Sequence, residues 1–160
     1  IQAQKKTVDE SLSELRQEYT RLFIYPKSPK IPIYETLFLF NPNQAEANPL
    51  LFVSPAALDA DRCYKKAGLT LSKEVNEPAD HIATELEFMM FLYGKKAIAL
   101  QEDNQNEIKR REEEIEEFYE THLQKWGEEF FKRCIQLSRN DAYKAFGELG
   151  GYFIGKSQLN

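Results

Sequence analysis

Residues 76–92 read NEPADHIATELEFMMFL and form the most informative segment of the chain. Apolar residues recur in it every three or four positions, the period of an amphipathic helix. Pro78 is typical of a first helical turn, where its missing N–H costs nothing. We therefore predict a helix that begins near Pro78, with Glu77 and Asp80 beside its unsatisfied N–H groups.

The rest of the chain carries the same period, and no segment shows the sustained alternation of a β-strand. A capping-box spacing follows Thr7, and Ser54 with Pro55 is typical of a helix start. Gly68 is a natural helix end. We predict an all-α fold, a single helical bundle. Residues 107–137 form one long helix or two with a kink near His122, and Asn140 caps a last helix.

The connector at residues 26–34 has three prolines at a spacing of three, which favours an extended left-handed backbone. It is either a stiff loop between helices or the rigid wall of a peptide groove. For residues 35–49 we predict a brief helix followed by a loop.

Composition excludes several classes of protein. The 160 residues are 42% hydrophobic, enough for a genuine core, and the net charge of -5 argues against binding nucleic acid through its phosphates. The apolar runs fall far short of the ~20 residues of a membrane span. Cys63 and Cys134 are too few and too isolated for a disulfide framework or a Cys-based zinc site, and they suit a reducing cytoplasm.

The polar residues of segment 76–92 allow three interpretations. In the first, Asp80 is a capping residue and His81 is a histidine at the helix start paired with Glu77 or Glu85. In the second, Glu77, His81 and Glu85 form a metal or acid–base site, and in the third, two carboxylates and the imidazole form a patch for a basic peptide. Zinc usually takes three or four ligands, and no second histidine lies at ligand spacing from His81. We therefore expect no catalytic residue and no metal ion.

Residues 77–89 resemble the E-P-x-D-H-(hydrophobic)-x-x-E-L-x-F-M signature of the TorD/DmsD/NarJ family, the maturation chaperones of molybdenum redox enzymes. Four other segments resemble further motifs of that family and occur in the family's order along the chain. They are residues 18–26 (Y-x-R-L-F…P), 32–36 (P-P-(Y/W)-E-S), 64–69 (Y-x-x-x-G-L) and 122–130 (H-L-x-x-W…F). The chain departs from the family at Ile33 and Lys125, where proline is more common.

The resemblance implies that the all-α bundle is of the TorD-like type and that the protein is a cytoplasmic chaperone without catalytic activity or cofactor. It would bind the twin-arginine signal peptide or the N-terminal region of a molybdoenzyme catalytic subunit. The alternative within the family is a NarJ-like assembly factor for a nitrate-reductase-type subunit that is not exported, and the opposing class is a hydrolase using Glu77, His81 and Glu85. Carried over from the family, the expected peptide-binding residues are Asp80, His81, Glu77, Pro78, Glu85, Pro32 and Tyr34, whereas His122 and Trp126 are expected to be structural.

We expect one domain over residues 1–160. Relatives commonly carry more helix before this part and the chain begins with Ile1, so we also expect that an N-terminal helical segment is missing. Oligomeric state is not indicated by the sequence.

Overall fold

Every element of regular secondary structure in the described residues is helical, which confirms the all-α fold class. The computed structural model describes residues 7–24, 29–43, 48–72 and 77–157. In chain order the helices are α1 (Val8–Phe23), α2 (Glu35–Phe38), α3 (Pro55–Lys66), α4 (Ile82–Gln101), α5 (Gln105–Phe118), α6 (Gln124–Leu137) and α7 (Asp141–Ser157), with a 3-10 turn at Leu51–Val53 and a π-helical turn at Tyr119–Leu123.

The chain divides into two compact units. The first consists of residues 1–32 and 128–160, and the second of residues 33–127. The expectation of one domain over the whole chain stays a prediction. None of the described helices combines the length and apolarity that a membrane span requires.

In the first unit, α1 begins where the capping box predicts. The Thr7 hydroxyl accepts a hydrogen bond from the Glu10 N–H at 3.2 Å, and the Glu10 carboxylate accepts one from the Thr7 N–H at 2.8 Å. Phe23 from α1 stacks on Phe130 with ring centroids 6.2 Å apart. The last helix starts as predicted, because the Asn140 side chain accepts from the Ala142 N–H at 2.9 Å.

In the second unit, the predicted bounds of α3 are confirmed. Ser54 accepts from the Ala57 N–H at 3.1 Å, and Pro55 occupies the first helical position. Gly68 follows the helix with a φ of +84°, a left-handed conformation that favours glycine. The brief helix predicted after the proline connector is α2. The connector lies partly outside the described residues, and its described part, residues 29–34, contains no helix.

The predicted start of α4 near Pro78 is wrong, because the helix begins at Ile82 with His81 as its N-cap. The physical reason is a pairing with a distant segment. Tyr34 and His81 form an isolated antiparallel bridge, in which the Glu35 N–H donates to the Asp80 carbonyl and the Ile82 N–H to the Ile33 carbonyl, both at 2.9 Å. His81 is therefore held in an extended conformation, with φ -78° and ψ 133°.

The predicted kink near His122 takes the form of the π-helical turn between α5 and α6. An extra residue in such a turn shifts the faces of the helix that follows, and π turns are frequent at functional sites. Here Tyr119, His122 and Leu123 are all buried.

Candidate functional site

The Tyr34–His81 bridge brings the end of the proline connector against the start of α4. The two rings meet edge to face, with centroids 5.3 Å apart and planes at 82°. Both side chains are half-buried. Two of the predicted binding residues, 47 positions apart in the chain, are thus adjacent.

Glu77 completes this surface and is exposed. Its carboxylate accepts a hydrogen bond from the Tyr34 hydroxyl. We call Tyr34, Glu77 and His81 the Tyr34 surface. It presents one carboxylate and two ring systems to solvent.

The His81 imidazole is neutral near pH 7. Its Nδ1 accepts a hydrogen bond from the Ala83 N–H at 3.0 Å, a role that requires an unprotonated nitrogen. Burial lowers the pKa of His81, against the opposing pull of the Glu77 and Asp80 carboxylates. The proton on the other nitrogen, Nε2, makes the ring a hydrogen-bond donor there.

Asp80 lies beneath the surface and is 0% exposed. Its Oδ2 accepts from the Thr36 N–H at 2.9 Å, near the start of α2, and its Oδ1 has no hydrogen-bond partner among the described residues. Asp80 therefore ties α2 to the turn that precedes α4. In this conformation it has no access to a peptide.

Glu85 is also 0% exposed and faces the interior of the second unit. Its Oε2 accepts from the Trp126 indole N–H at 3.1 Å, while Oε1 has no partner within the described ranges. Burial, together with the nearby Glu35 carboxylate, raises the pKa of Glu85 well above its usual value. These surroundings favour the protonated form of the carboxyl group.

The other two predicted residues lie close in sequence to these groups. Pro78 is buried in the turn before α4, and Pro32 is half-buried immediately before Ile33. The residues proposed for a hydrolase, Glu77, His81 and Glu85, do not converge on one point in the described part of the chain. Two other groups do converge: Asp59, Cys63 and His122, and Glu35, Glu85 and His122.

His122 is the centre of both groups and was expected to be structural. Its Nδ1 lies 2.7 Å from Glu35 Oε2, and its Nε2 lies 3.3 Å from Asp59 Oδ2 without hydrogen-bond geometry. Burial favours the neutral ring, but contacts with Cys63 and Glu35 outweigh it and raise the pKa of His122 to about 10.

Sequence reasoning missed Glu35, Thr36, Asp59 and Cys63. A usable signal existed for the first two, since they follow Tyr34 directly in the resembled segment 32–36. None existed for Asp59 and Cys63, because an i,i+4 pair on a helix is common. Only the fold brings the pair to His122.

Exposed apolar side chains surround the start of α3. Thr36, two residues after Tyr34, donates its hydroxyl to Ser54 at 2.6 Å, which ties this region to the Tyr34 surface. The exposed members, here called the apolar patch, are Leu39, Leu50, Phe52, Val53 and Leu58.

Comparison with known proteins gives a consistent picture. The family model described as "Nitrate reductase delta subunit" matches residues 2–132. The chain is 34% identical over 85 residues to "Chaperone protein TorD" of Photobacterium profundum, an alignment that covers 52% of this chain and 36% of that protein. The aligned part is thus about a third of the relative's length. No solved structure matches the chain.

Proposed function

Because the chain belongs to the nitrate reductase delta subunit family, the NarJ/TorD group, we propose that it is a cytoplasmic chaperone for a molybdenum-cofactor redox enzyme. Its proposed role is to bind the twin-arginine signal peptide or the N-terminal region of the catalytic subunit during folding and cofactor insertion. It catalyses no reaction in this proposal. The likeness to a TorD chaperone supports it.

The observation that carries the proposal is the exposed Glu77 carboxylate, held by the Tyr34 hydroxyl beside the His81 ring. A guanidinium group binds a carboxylate through two parallel N–H donors and also stacks on aromatic rings. The Tyr34 surface offers both features. A carboxylate oxygen accepts more than one hydrogen bond, so the Tyr34 contact leaves Glu77 able to accept from arginine.

In the proposal, Asp80 and Glu85 do not contact the peptide and have a structural role behind the Tyr34 surface. A buried carboxylate cannot meet an arginine without opening of the structure, and both of these residues are 0% exposed. Asp80 instead fixes the position of Tyr34 through Thr36 and the bridge. Substitution of Asp80 is therefore expected to weaken peptide binding by displacing Tyr34.

The apolar stretch that follows the two arginines of such a peptide needs a hydrophobic surface. The apolar patch supplies one, with Leu50 73% exposed and Leu58 54% exposed. It is tied to the Tyr34 surface through the Thr36–Ser54 hydrogen bond. The net charge of -5 favours approach of a basic peptide.

The test measures binding of a peptide with Arg-Arg before an apolar run, and of its Lys-Lys counterpart, by calorimetry. Wild type should prefer Arg-Arg, because lysine cannot form the bidentate pair. Glu77→Gln should weaken the Arg-Arg peptide about tenfold, or about 1.4 kcal/mol, and should remove the preference. His81→Ala should also weaken binding.

Glu87→Gln is the matched control, since Glu87 is an exposed glutamate on α4 and its loss should leave both affinities unchanged. Asp80→Asn should weaken binding while a circular dichroism spectrum shows that the fold survives. The assignment of the arginine site is overturned if wild type binds the Arg-Arg and Lys-Lys peptides with equal affinity and Glu77→Gln binds both as tightly as wild type does.

A second client is favoured by the family's description. A nitrate-reductase-type catalytic subunit that stays on the cytoplasmic side would need an assembly factor but no export signal. Affinity capture from the native host separates the two, since it identifies either an exported or a non-exported redox subunit. Capture of a protein without a molybdenum cofactor would count against both.

A further inference from the structure

We infer that Asp59, Cys63 and His122 form a binding site for a divalent transition-metal ion, best suited to Zn²⁺. Their ligand atoms lie within 4.8 Å of one another. A tetrahedral zinc ion with bonds of about 2.0–2.3 Å holds its ligands about 3.5 Å apart, so small side-chain adjustments bring the three onto one ion. The site lies wholly in the second unit and is separate from the Tyr34 surface.

The arrangement of His122 points to a metal in particular. Its Nδ1 is held by the Glu35 carboxylate at 2.7 Å, whereas its Nε2 is buried without a hydrogen-bond partner among the described residues. Carboxylate, imidazole and metal in this order are the usual arrangement around a metal-binding histidine, because the carboxylate fixes the tautomer and the ring orientation. Glu35 is thus a positioning residue in the inferred site.

The two other ligands come from one face of α3. Asp59 and Cys63 are four residues apart, so their side chains lie one turn from each other. Asp59 uses Oδ1 to accept from Arg62 at 2.6 Å, and its Oδ2 is turned towards the imidazole. Arg62 thereby holds the carboxylate in place.

The donor set selects the class of ion. A thiolate, an imidazole and a carboxylate suit zinc and related transition metals, while magnesium and calcium require oxygen ligands. Three protein ligands leave a fourth position for water. Cys63 is half-buried and also lines a small recess together with Phe88 and Phe118, so part of the cysteine surface is open to solvent.

Binding would release the thiol proton of Cys63 and the Nε2 proton of His122 to solvent, in exchange for bonds from both atoms to the metal. No oxidation takes place. The inference departs from the sequence-based expectation of no metal, which took the cysteines as isolated and His122 as distant from His81. Folding brings His122 to the Asp59–Cys63 pair on α3.

The test titrates Co²⁺ and then Zn²⁺ into the chelator-treated full chain. A thiolate-to-cobalt charge-transfer band and tetrahedral visible bands are expected, both lost on displacement by zinc. Cys63→Ala should abolish the charge-transfer band, and Asp59→Asn should weaken binding of Zn²⁺. Glu35→Gln should weaken it about 10- to 100-fold, the range for groups that orient a ligand.

Cys134→Ala is the matched control, because it removes the second cysteine, which lies in the first unit. Zinc should also protect the half-buried Cys63 thiol from alkylation, a measurement on the unmutated chain. The inference is overturned if one ion per chain does not bind, or if Cys63→Ala and Cys134→Ala bind zinc equally. Peptide affinity plays no part in these readouts, so the proposed chaperone function stands or falls separately.

Discussion

Glu18 should be the strongest single electrostatic contributor to the stability of the first unit. Its carboxylate, 8% exposed, accepts from Arg21 Nε at 2.7 Å and from Arg21 Nη2 at 2.6 Å. It also accepts from the Ser138 hydroxyl at 3.0 Å and from the Arg139 N–H at 2.6 Å. One side chain therefore ties α1 to the turn between α6 and α7.

These contacts determine the size of the effect. The Arg21 guanidinium, against the opposing effect of burial and with help from Arg139 and Ser138, lowers the pKa of Glu18 from 4.5 to about 2. At about 1.4 kcal/mol per pKa unit, this corresponds to a stabilisation of about 3 kcal/mol. Arg21 is 19% exposed, so solvent screening reduces the expected value to about 2 kcal/mol.

The pH dependence follows from the direction of the shift. A carboxylate whose pKa is lower in the folded state stabilises the fold fully above its unfolded pKa of 4.5, and the stabilisation disappears as pH falls towards about 2. Glu18→Gln should therefore lower the free energy of unfolding by about 2 kcal/mol at pH 7. The difference from wild type should fall below half of that at pH 3.

Urea unfolding followed by circular dichroism at both pH values measures the difference. Glu87→Gln provides the control, because an exposed glutamate should change stability by less than about 0.5 kcal/mol. A Glu18→Gln effect below about 0.5 kcal/mol at pH 7 would refute the reasoning. So would an effect of the same size at pH 3, since it would then not depend on the charge.

Two further predictions concern packing and capping. A Cβ at Gly150 would lie 2.1 Å from the buried Phe131 ring, so Gly150→Ala should lower the free energy of unfolding by about 1–3 kcal/mol. A Cβ at Gly155 on the same helix meets nothing within 4 Å, so Gly155→Ala should raise the free energy of unfolding by up to about 1 kcal/mol. Thermal unfolding that ranks the two variants the other way would contradict the close approach of α7 to Phe131. Ser54→Ala should lower the free energy of unfolding by about 1–2 kcal/mol, because the Ala57 N–H at the start of α3 loses its acceptor. Urea unfolding measures the change. An unchanged midpoint of the urea transition would mean that the cap does not stabilise this helix.

The helices that could be predicted from the sequence are those whose ends are fixed locally. Thr7, Ser54 and Asn140 each bind a backbone N–H two or three residues further along the chain. A side chain so close in sequence acts whatever the rest of the fold does. The start of α4 was predicted wrongly because a distant segment determines it. The bridge between Tyr34 and His81 keeps the preceding residues extended, and the local signal of Pro78 yields to it.

The candidate site, like the helices, could be predicted from the sequence only in part. Residue types and spacing identified Glu77, Asp80, His81 and Glu85 as a polar cluster, but spacing along a helix does not say which carboxylates turn inward. The bridge moves the start of α4 away from Glu77, which is exposed, while Asp80 and Glu85 are buried.

Burial changes the chemistry available to each acidic group. The exposed Glu77 can receive a cation from solvent at little cost, whereas a buried carboxylate must keep a partner or a proton. Asp80 keeps the Thr36 N–H, and Glu85 accepts from the Trp126 indole N–H while burial raises the pKa of its carboxyl group. The proposed recognition of a basic peptide is therefore best assigned to Glu77 with Tyr34 and His81. The buried acids instead fix the positions of α2 and α4, on which the geometry of that surface depends.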